Sequence, residues 1–325
     1  MQNRVVMLAE QGAPSVMSVE TQDIGEPGPD EVRIKQNVIG FNFMDIYQRS
    51  GLYPLELPSG IGLEAAGTVS AVGANVTGFE AGQRVAYATA PCGAYAEYRN
   101  FPAVRVVALP DDISDEQCAA TLFKGMTVEY LLNRCYDIKK DEKVLFLGSG
   151  GGVGTLAGQW GAAKGAYMIG VDGGDEKCDL ARANGYSEVI DFTTEDVAGR
   201  VREITGGEGV PVAYDPIGGP TYEQTLDCLG PRGFFISFGT TGGPMPAVDP
   251  PILQKRDSLY FTRPTVATYT AKREDLVMSA NSVFDMIRSG GIRVNIGQRY
   301  ALDDAVRAHE DTEAGKTTGS SILVP

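Results

Sequence analysis

The residues best suited to chemistry cluster at Gly148-Ser149-Gly150-Gly151-Gly152-Val153-Gly154, five glycines within seven residues. They follow the apolar run Val144-Leu145-Phe146-Leu147 and precede a helical pattern with Val153, Leu156, Ala157 and Trp160 on one face. Strand, glycine turn and helix together present backbone N–H groups to a pyrophosphate. The spacing is Gly148-x-x-Gly151-x-x-Gly154, overlaid by Gly152-x-Gly154-x-x-Ala157, and departs from the strict G-x-G-x-x-G form. Asp172 ends the next apolar run, about twenty residues on, where an acid meets the ribose hydroxyls of a dinucleotide and repels a 2′-phosphate. The alternative for Asp172 is an acid that caps the following turn.

Other chemistries lack their residues. His309 is the only histidine, and Cys92, Cys118, Cys135, Cys178 and Cys228 never form a C-x-x-C pair. That excludes ordinary His/Cys zinc sites, disulfide frameworks and most Ser-His-Asp or Cys-His mechanisms. His309 lies in a predicted C-terminal helix, where surface or structural placement is expected rather than catalysis. The net charge is −14, with no basic run, which argues against nucleic-acid partners. No apolar stretch approaches the roughly 20 residues of a membrane span, and the N-terminus has no signal-peptide pattern, so no membrane partner and a cytoplasmic location are expected.

The elements that must position these residues fall into two kinds. Residues 4–8, 16–20, 32–39, 67–72, 84–87, 94–98 and 104–109 read as short strands, which suggests a small barrel. Ser114 and Gln117 form a capping box that opens a helix through Phe123, and a second helix is expected after Gly125. From Lys143 strands and helices alternate, with strands at 144–147, 167–171, 188–192, 210–214, 233–238 and 257–262. This predicts an α/β fold containing a doubly wound parallel sheet in the order 3-2-1-4-5-6. An amphipathic helix over 275–289, strands at 293–296 and 322–324, and a helix over 302–314 close the chain. The tail is best placed back on the N-terminal domain.

Several stretches in combination resemble the zinc-free quinone oxidoreductases of the medium-chain dehydrogenase/reductase superfamily, the group that includes zeta-crystallin. They are Ile39-Gly-Phe-Asn-Phe-Met-Asp45, Tyr47-Gln-Arg-Ser-Gly-Leu-Tyr-Pro54, Gly62-Leu-Glu-Ala-Ala-Gly67, Leu122-Phe-Lys-Gly-Met-Thr-Val128, Gly151-Gly-Val-Gly154, Ser258-Leu-Tyr-Phe-Thr-Arg-Pro264 and Gly319-Ser-Ser-Ile-Leu-Val-Pro325. The resemblance covers nearly the whole chain. It implies a GroES-like β-barrel catalytic domain from residues 1–124 and 265–325, a Rossmann cofactor domain over 125–264, and a homodimer through the sixth strand. It also implies no metal, because Asn42 and Leu63 stand where zinc-containing relatives carry Cys and His.

The same resemblance distributes roles. Asn42, Asp45, Tyr47, Tyr53 and Thr127 fall at substrate-side positions, and aromatic rings with polar tips suit a flat conjugated substrate. Lys124 falls near the nicotinamide, or is a solvated charge. Gly151, Gly152, Val153 and Gly154 take the pyrophosphate. Asp172, Gly173, Lys177 and Phe192 surround the adenosine. Phe238, Gly239 and Thr240 border the nicotinamide ribose, and Thr262 and Pro264 border the carboxamide. The cofactor choice is open: NADPH is the family habit, Lys177 is retained but NAD-dependent relatives carry a Lys there too, and Asp172 and Phe192 (in place of the family's Tyr) favour NADH. The expected activity is NAD(P)H-dependent, zinc-independent hydride transfer to a quinone or electron-poor carbonyl compound. The rivals are reduction of an enal or enone double bond and, in another class, a non-catalytic crystallin-like or cofactor-sensing binding protein.

Overall fold

Strand β1 (Gln2–Leu8) buries Asn3, Val6 and Leu8 and pairs antiparallel with β2 (Met17–Asp23). Strand β3 (Glu31–Gly40) follows, then helix α1 (Phe43–Ser50). The short β4 (Ser59–Gly60) joins the other edge of β1. Then come β5 (Glu64–Val72), β6 (Arg84–Ala88), β7 (Tyr98–Pro102), β8 (Val107–Ala108) and helix α2 (Asp115–Glu129). The computed structural model describes residues 1–325, and the chain divides into two compact units, 1–126 with 270–325, and 127–269.

The second unit alternates without interruption. It runs β9 (Lys143–Leu147), α3 (Gly152–Ala163), β10 (Tyr167–Asp172), α4 (Asp175–Ala183), β11 (Glu188–Asp191), α5 (Val197–Ile204), β12 (Val210–Asp215), α6 (Tyr222–Cys228), β13 (Leu229–Ser237), α7 (Pro250–Lys255), β14 (Tyr260–Thr262) and α8 (Val266–Tyr269). The parallel sheet has the order β11-β10-β9-β12-β13-β14, which is the predicted 3-2-1-4-5-6. Its central strands are buried along nearly their whole length, as parallel strands covered on both faces must be. Leu145, Leu147, Ile169, Val171, Ala213 and Phe235 build its core.

The chain then returns to the first unit with α9 (Arg273–Arg288), β15 (Ile296–Ala301), α10 (Ala305–Glu313) and β16 (Ser320–Val324). β16 pairs antiparallel with β3 through Ile322 opposite Gly40 and Leu323 opposite Ile39, and completes a seven-stranded sheet. Leu323 shares a core with Val6, Ile34, Ile39 and Phe101.

Several local expectations are corrected. Gly125 does not break a helix: α2 runs through it, because a Cβ there would meet the Val283 methyls at 2.8 and 2.9 Å. The glycine serves close packing rather than a turn. Of the strand expected at 94–98 only Tyr98 falls in one, as the start of β7; the rest makes an isolated bridge from Ala96 to Val5, and the Gln36 side chain takes the Ala94 and Ala96 carbonyls. Residues 103–105 make a single 3-10 turn before β8. The strand expected at 293–296 starts only at Ile296, where it meets β16. The Ser114–Gln117 capping box forms as predicted, with reciprocal bonds of 3.0 and 3.1 Å.

Candidate functional site

In the second unit the glycine run turns between β9 and α3. Gly148 sits in the left-handed region (φ 68°), and its N–H and that of Ser149 donate to the Val171 carbonyl at 2.9 and 3.2 Å. Gly151 caps α3, whose first turn is Gly152, Val153 and Gly154. A first turn leaves its N–H groups without intrahelical partners and carries the positive end of the helix dipole, so it is a cradle for an anion. Gly154 is obligatory: a Cβ would lie 2.1 Å from the Gly148 carbonyl oxygen. The helix can reach this close to the turn only without a side chain.

Asp172 ends β10 and is 8% exposed. Its Oδ2 accepts from the Gly150 N–H at 2.7 Å and its Oδ1 from the Gly173 N–H at 2.9 Å. The carboxylate therefore braces the glycine turn, the bond pattern of the capping alternative. Phe192, just past β11, is 56% exposed, and its ring would collide with any Cβ on Gly173 at 2.6 Å. Lys177 on α4 is exposed. Between these elements lies a cavity of about 290 Å³, lined by Gly148, Asp172, Phe192, Ile217, Thr221 and Gln224 among others. It opens at the carboxyl ends of β9, β10 and β12, where the strand order reverses. This is the crevice in which doubly wound sheets hold ligands. Its volume is small against the roughly 300–1,000 Å³ usual for ligand sites, which suits one end of a dinucleotide.

After β13, the Phe238 ring packs on Phe146 at 5.5 Å, and the Phe238 N–H donates to the Asp215 carbonyl. The Arg263 guanidinium donates to Ser237 Oγ at 3.0 Å and to the Gly239 carbonyl at 3.2 Å. This ties the turn carrying Gly239 and Thr240 to the segment carrying Thr262 and Pro264. Thr127, on α2, is 8% exposed.

The first unit holds a buried polar cluster. The Asn42 N–H donates to Asp45 Oδ2 at 2.9 Å, which fixes the start of α1. Asn42 Nδ2 donates to Glu64 Oε2 at 2.8 Å, and the Phe123 N–H to Glu64 Oε1 at 2.7 Å. The Tyr95 hydroxyl donates to Asp45 Oδ2 at 3.0 Å and lies 3.4 Å from His309 Nε2. Lys124 is buried, not solvated, and its Nζ donates to the Phe41 carbonyl at 3.1 Å. Burial pushes the Asp45 carboxyl up to about 7, raises Glu64 and lowers the Lys124 ammonium. Beside the cluster, the rings of Phe43, Tyr47 and Tyr53 form a ladder with centroids 6.0 and 5.6 Å apart. Phe43 is half exposed.

Two family models match the chain: an alcohol dehydrogenase GroES-like domain over residues 28–111 and a zinc-binding dehydrogenase domain over 152–275. Over 98% of its length the chain is 47% identical to a quinone oxidoreductase of Pseudomonas aeruginosa, covering 99% of that protein. This chain belongs to the quinone oxidoreductase family of the medium-chain dehydrogenase/reductases. A structure of Escherichia coli quinone oxidoreductase in complex with NADPH superposes with a TM-score of 0.97, at 44% identity over 99% of this chain and 100% of that one. A 2-haloacrylate reductase from a Burkholderia species is 36% identical over 98% of each chain. Although one matching domain is described as zinc-binding, no three His, Cys, Asp or Glu side chains are grouped to hold a metal ion. Asn42 gives its amide to Glu64, and Leu63 is a buried apolar residue.

The quinone oxidoreductase fold thus gathers the sequence-derived residues into separate groups. Asn42, Asp45 and Lys124 meet in one cluster, with Tyr47 and Tyr53 beside it. The glycines, Asp172, Gly173 and Phe192 meet around the cavity. His309 is fully buried, edge-on to Phe41 at 4.9 Å, with burial lowering its pKa to about 3. The surface alternative for this residue is overturned: apolar packing of α10 against the barrel keeps the ring dry. Sequence reasoning missed Glu64, Tyr95 and Gln224. A lone acid within the otherwise apolar Gly62-Leu-Glu-Ala-Ala-Gly67 was the available signal for Glu64. Nothing local marks the other two.

Proposed function

We propose that this enzyme is an NAD(P)H-dependent quinone oxidoreductase that works without a metal. The observation that carries the reading is the anion cradle of Gly151–Gly154 opening beside the strand-reversal cavity, in a chain 47% identical to a quinone oxidoreductase over nearly its full length. The residues fit a nicotinamide dinucleotide: the first-turn N–H groups of α3 hold the pyrophosphate, and the cavity between Asp172, Phe192 and Ile217 holds the adenosine. Gly239, Thr240, Thr262 and Pro264 border the other end. The bound nicotinamide supplies hydride.

The chain's own residues bind and orient. Tyr47 and Tyr53 present a stepped aromatic face for a planar acceptor. Asp45, Asn42 and Glu64 fix the start of α1 and so the direction of that face. Thr127, on α2, supplies a buried hydroxyl on the substrate side. Proximity and orientation then supply most of the rate.

The site takes NADPH, as the Escherichia coli relative does, with Lys177 opposite the 2′-phosphate. NADH is accepted as well, because Asp172 places a carboxylate at the same end of the ribose. The acceptor is a quinone or a similarly electron-poor carbonyl compound. The edge of β14, which has no strand partner within the chain, joins two copies into a dimer. Five unpaired cysteines suit the cytoplasm, and no helix is long and apolar enough to cross a membrane.

The test is NAD(P)H oxidation with a phenanthrenequinone-type acceptor beside a simple enone. We expect the larger kcat/KM for the quinone. The reverse order favours the second reading, double-bond reduction, to which the 36% identity with a 2-haloacrylate reductase points. Tight cofactor binding with no turnover of either acceptor favours a binding protein.

A further inference from the structure

We infer that Gln224 reads the adenine base of the cofactor and makes the site selective for adenine over other purines. The inference rests on the cofactor reading above and extends it to one side chain.

The cavity at the strand reversal is walled by apolar groups: Val171, Phe192, Ile217 and Pro220. A slot of this kind accepts a flat heterocycle by burial and stacking, and by itself it is indifferent to the identity of the base. Selectivity needs a polar side chain with hydrogen-bonding capacity to spare. Three polar side chains line the cavity. Asp172 accepts from the Gly150 and Gly173 N–H groups, and in the reading above its remaining acceptor capacity goes to the ribose rather than the base. The Thr221 hydroxyl proton is committed to Asp215 Oδ2 at 2.7 Å. The Gln224 carboxamide makes no hydrogen bond within the chain, so both its N–H donors and its carbonyl acceptor are available.

The carboxamide is also well placed. Thr221 and Thr225 both donate to Asp215 Oδ2, at 2.7 and 3.0 Å, one helical turn apart. These bonds pin the start of α6 to the end of β12 and fix the turn that carries Gln224. The Asp215 carboxylate is itself held by the Ile217 N–H at 2.7 Å. A glutamine amide is complementary to adenine, because its carbonyl accepts from the N6 amine while its N–H donates to N7. Hypoxanthine replaces that amine with a carbonyl oxygen, which leaves the glutamine carbonyl facing an acceptor. A site built to pair a donor discriminates against the analogue that lacks it.

The experiment titrates the full-length protein with NADPH and NADH, each beside its hypoxanthine counterpart, and reads nicotinamide fluorescence. For the wild type we expect the adenine form to bind roughly tenfold more tightly. In Gln224→Leu, which replaces the amide with an apolar side chain, that ratio falls to near one. Equal affinities in the wild type, or an unchanged ratio in Gln224→Leu, overturn the inference and leave the cofactor reading intact. Failure of every dinucleotide to bind overturns the cofactor reading, and the role of Gln224 with it. The wild-type comparison needs no variant, so a poorly folding substitution does not shield the inference.

Discussion

Asp172 carries two functions on one carboxylate. It ties the glycine turn to β10 through Gly150, and under the proposed function it also meets the cofactor's ribose. Asp172→Ala is therefore expected to shift the NADPH-over-NADH ratio of kcat/KM upward by about tenfold, as a charge opposed to a 2′-phosphate is removed. Steady-state kinetics with both cofactors checks this. A ratio that stays fixed while both affinities fall equally would reduce Asp172 to a brace. Asp45 makes a different prediction. Burial raises its carboxyl from 3.8 to about 7. Between those values the folded chain holds a proton that the unfolded chain has lost, so this contribution to stability falls as pH rises through the window. Asp45→Asn removes the effect. In urea unfolding, the variant should gain on the wild type by up to about 4 kcal/mol between about pH 4 and pH 8. A gap that does not change with pH would mean that Asp45 ionises as an ordinary carboxylate. His309 acts in the opposite sense: with its pKa lowered to about 3, it costs stability as pH falls below 6.5. Comparing variant and wild type at each pH cancels it. Neither residue's environment was legible in sequence. Asp45 appeared only as one polar residue in an aromatic stretch, and the burial that raises its carboxyl comes from segments distant in sequence, such as that of Tyr95.

At the level of elements, the sequence was most readable where neighbours along the chain are neighbours in space. The capping box at Ser114, the helix Asp175–Ala183 and the six strands of the parallel sheet needed only local pattern. Local pattern failed where a distant group decided. Gly125 looks like a breaker, and only Val283 explains why it is not one. Residues 94–97 have strand composition, yet the buried side chain of Gln36 takes the Ala94 and Ala96 carbonyls. The start of β15 is set by its pairing with β16 rather than by its own residues. The glycine turn lies between these cases: its motif is local, but the need for Gly154 comes from the approach of α3 to Gly148. Gly154→Ala should force the helix away from the turn. We expect at least a tenfold loss of NADPH affinity by fluorescence titration, with a loss of stability of about 1–3 kcal/mol. Full retention of affinity would mean that the pyrophosphate is not held at this turn.

For the molecule as a whole, the proposed dimer places β14 at its centre. The sheet ends at this strand, and Tyr260 there is 54% exposed while stacking on Phe234 at 4.5 Å. An open edge with an exposed aromatic residue is a pairing liability that a second copy would cover. Sedimentation should give twice the mass of one chain, and Tyr260→Lys should shift the protein toward the monomer at micromolar concentration. A wild type that sediments as a monomer would remove the edge from consideration. The net charge of −14 acts at this scale too, and is expected to disfavour phosphate-backbone polymers as partners.

The antiparallel register of Leu323 with Ile39 and Ile322 with Gly40 has a consequence for how the chain comes into being. Residues 127–269 form a contiguous unit whose strands pair only among themselves, so that unit can fold as soon as it leaves the ribosome. The other unit has no such freedom. One edge of β3 beyond its pairing with β7 stays bare until β16 arrives nearly 300 residues later. During that interval the unpaired end of β3, which carries the apolar residues Val38 and Ile39, is open to other chains. The nucleotide-holding unit is thus expected to be complete first. Strand β16 is then expected to act as the clasp that protects the nascent barrel from aggregation.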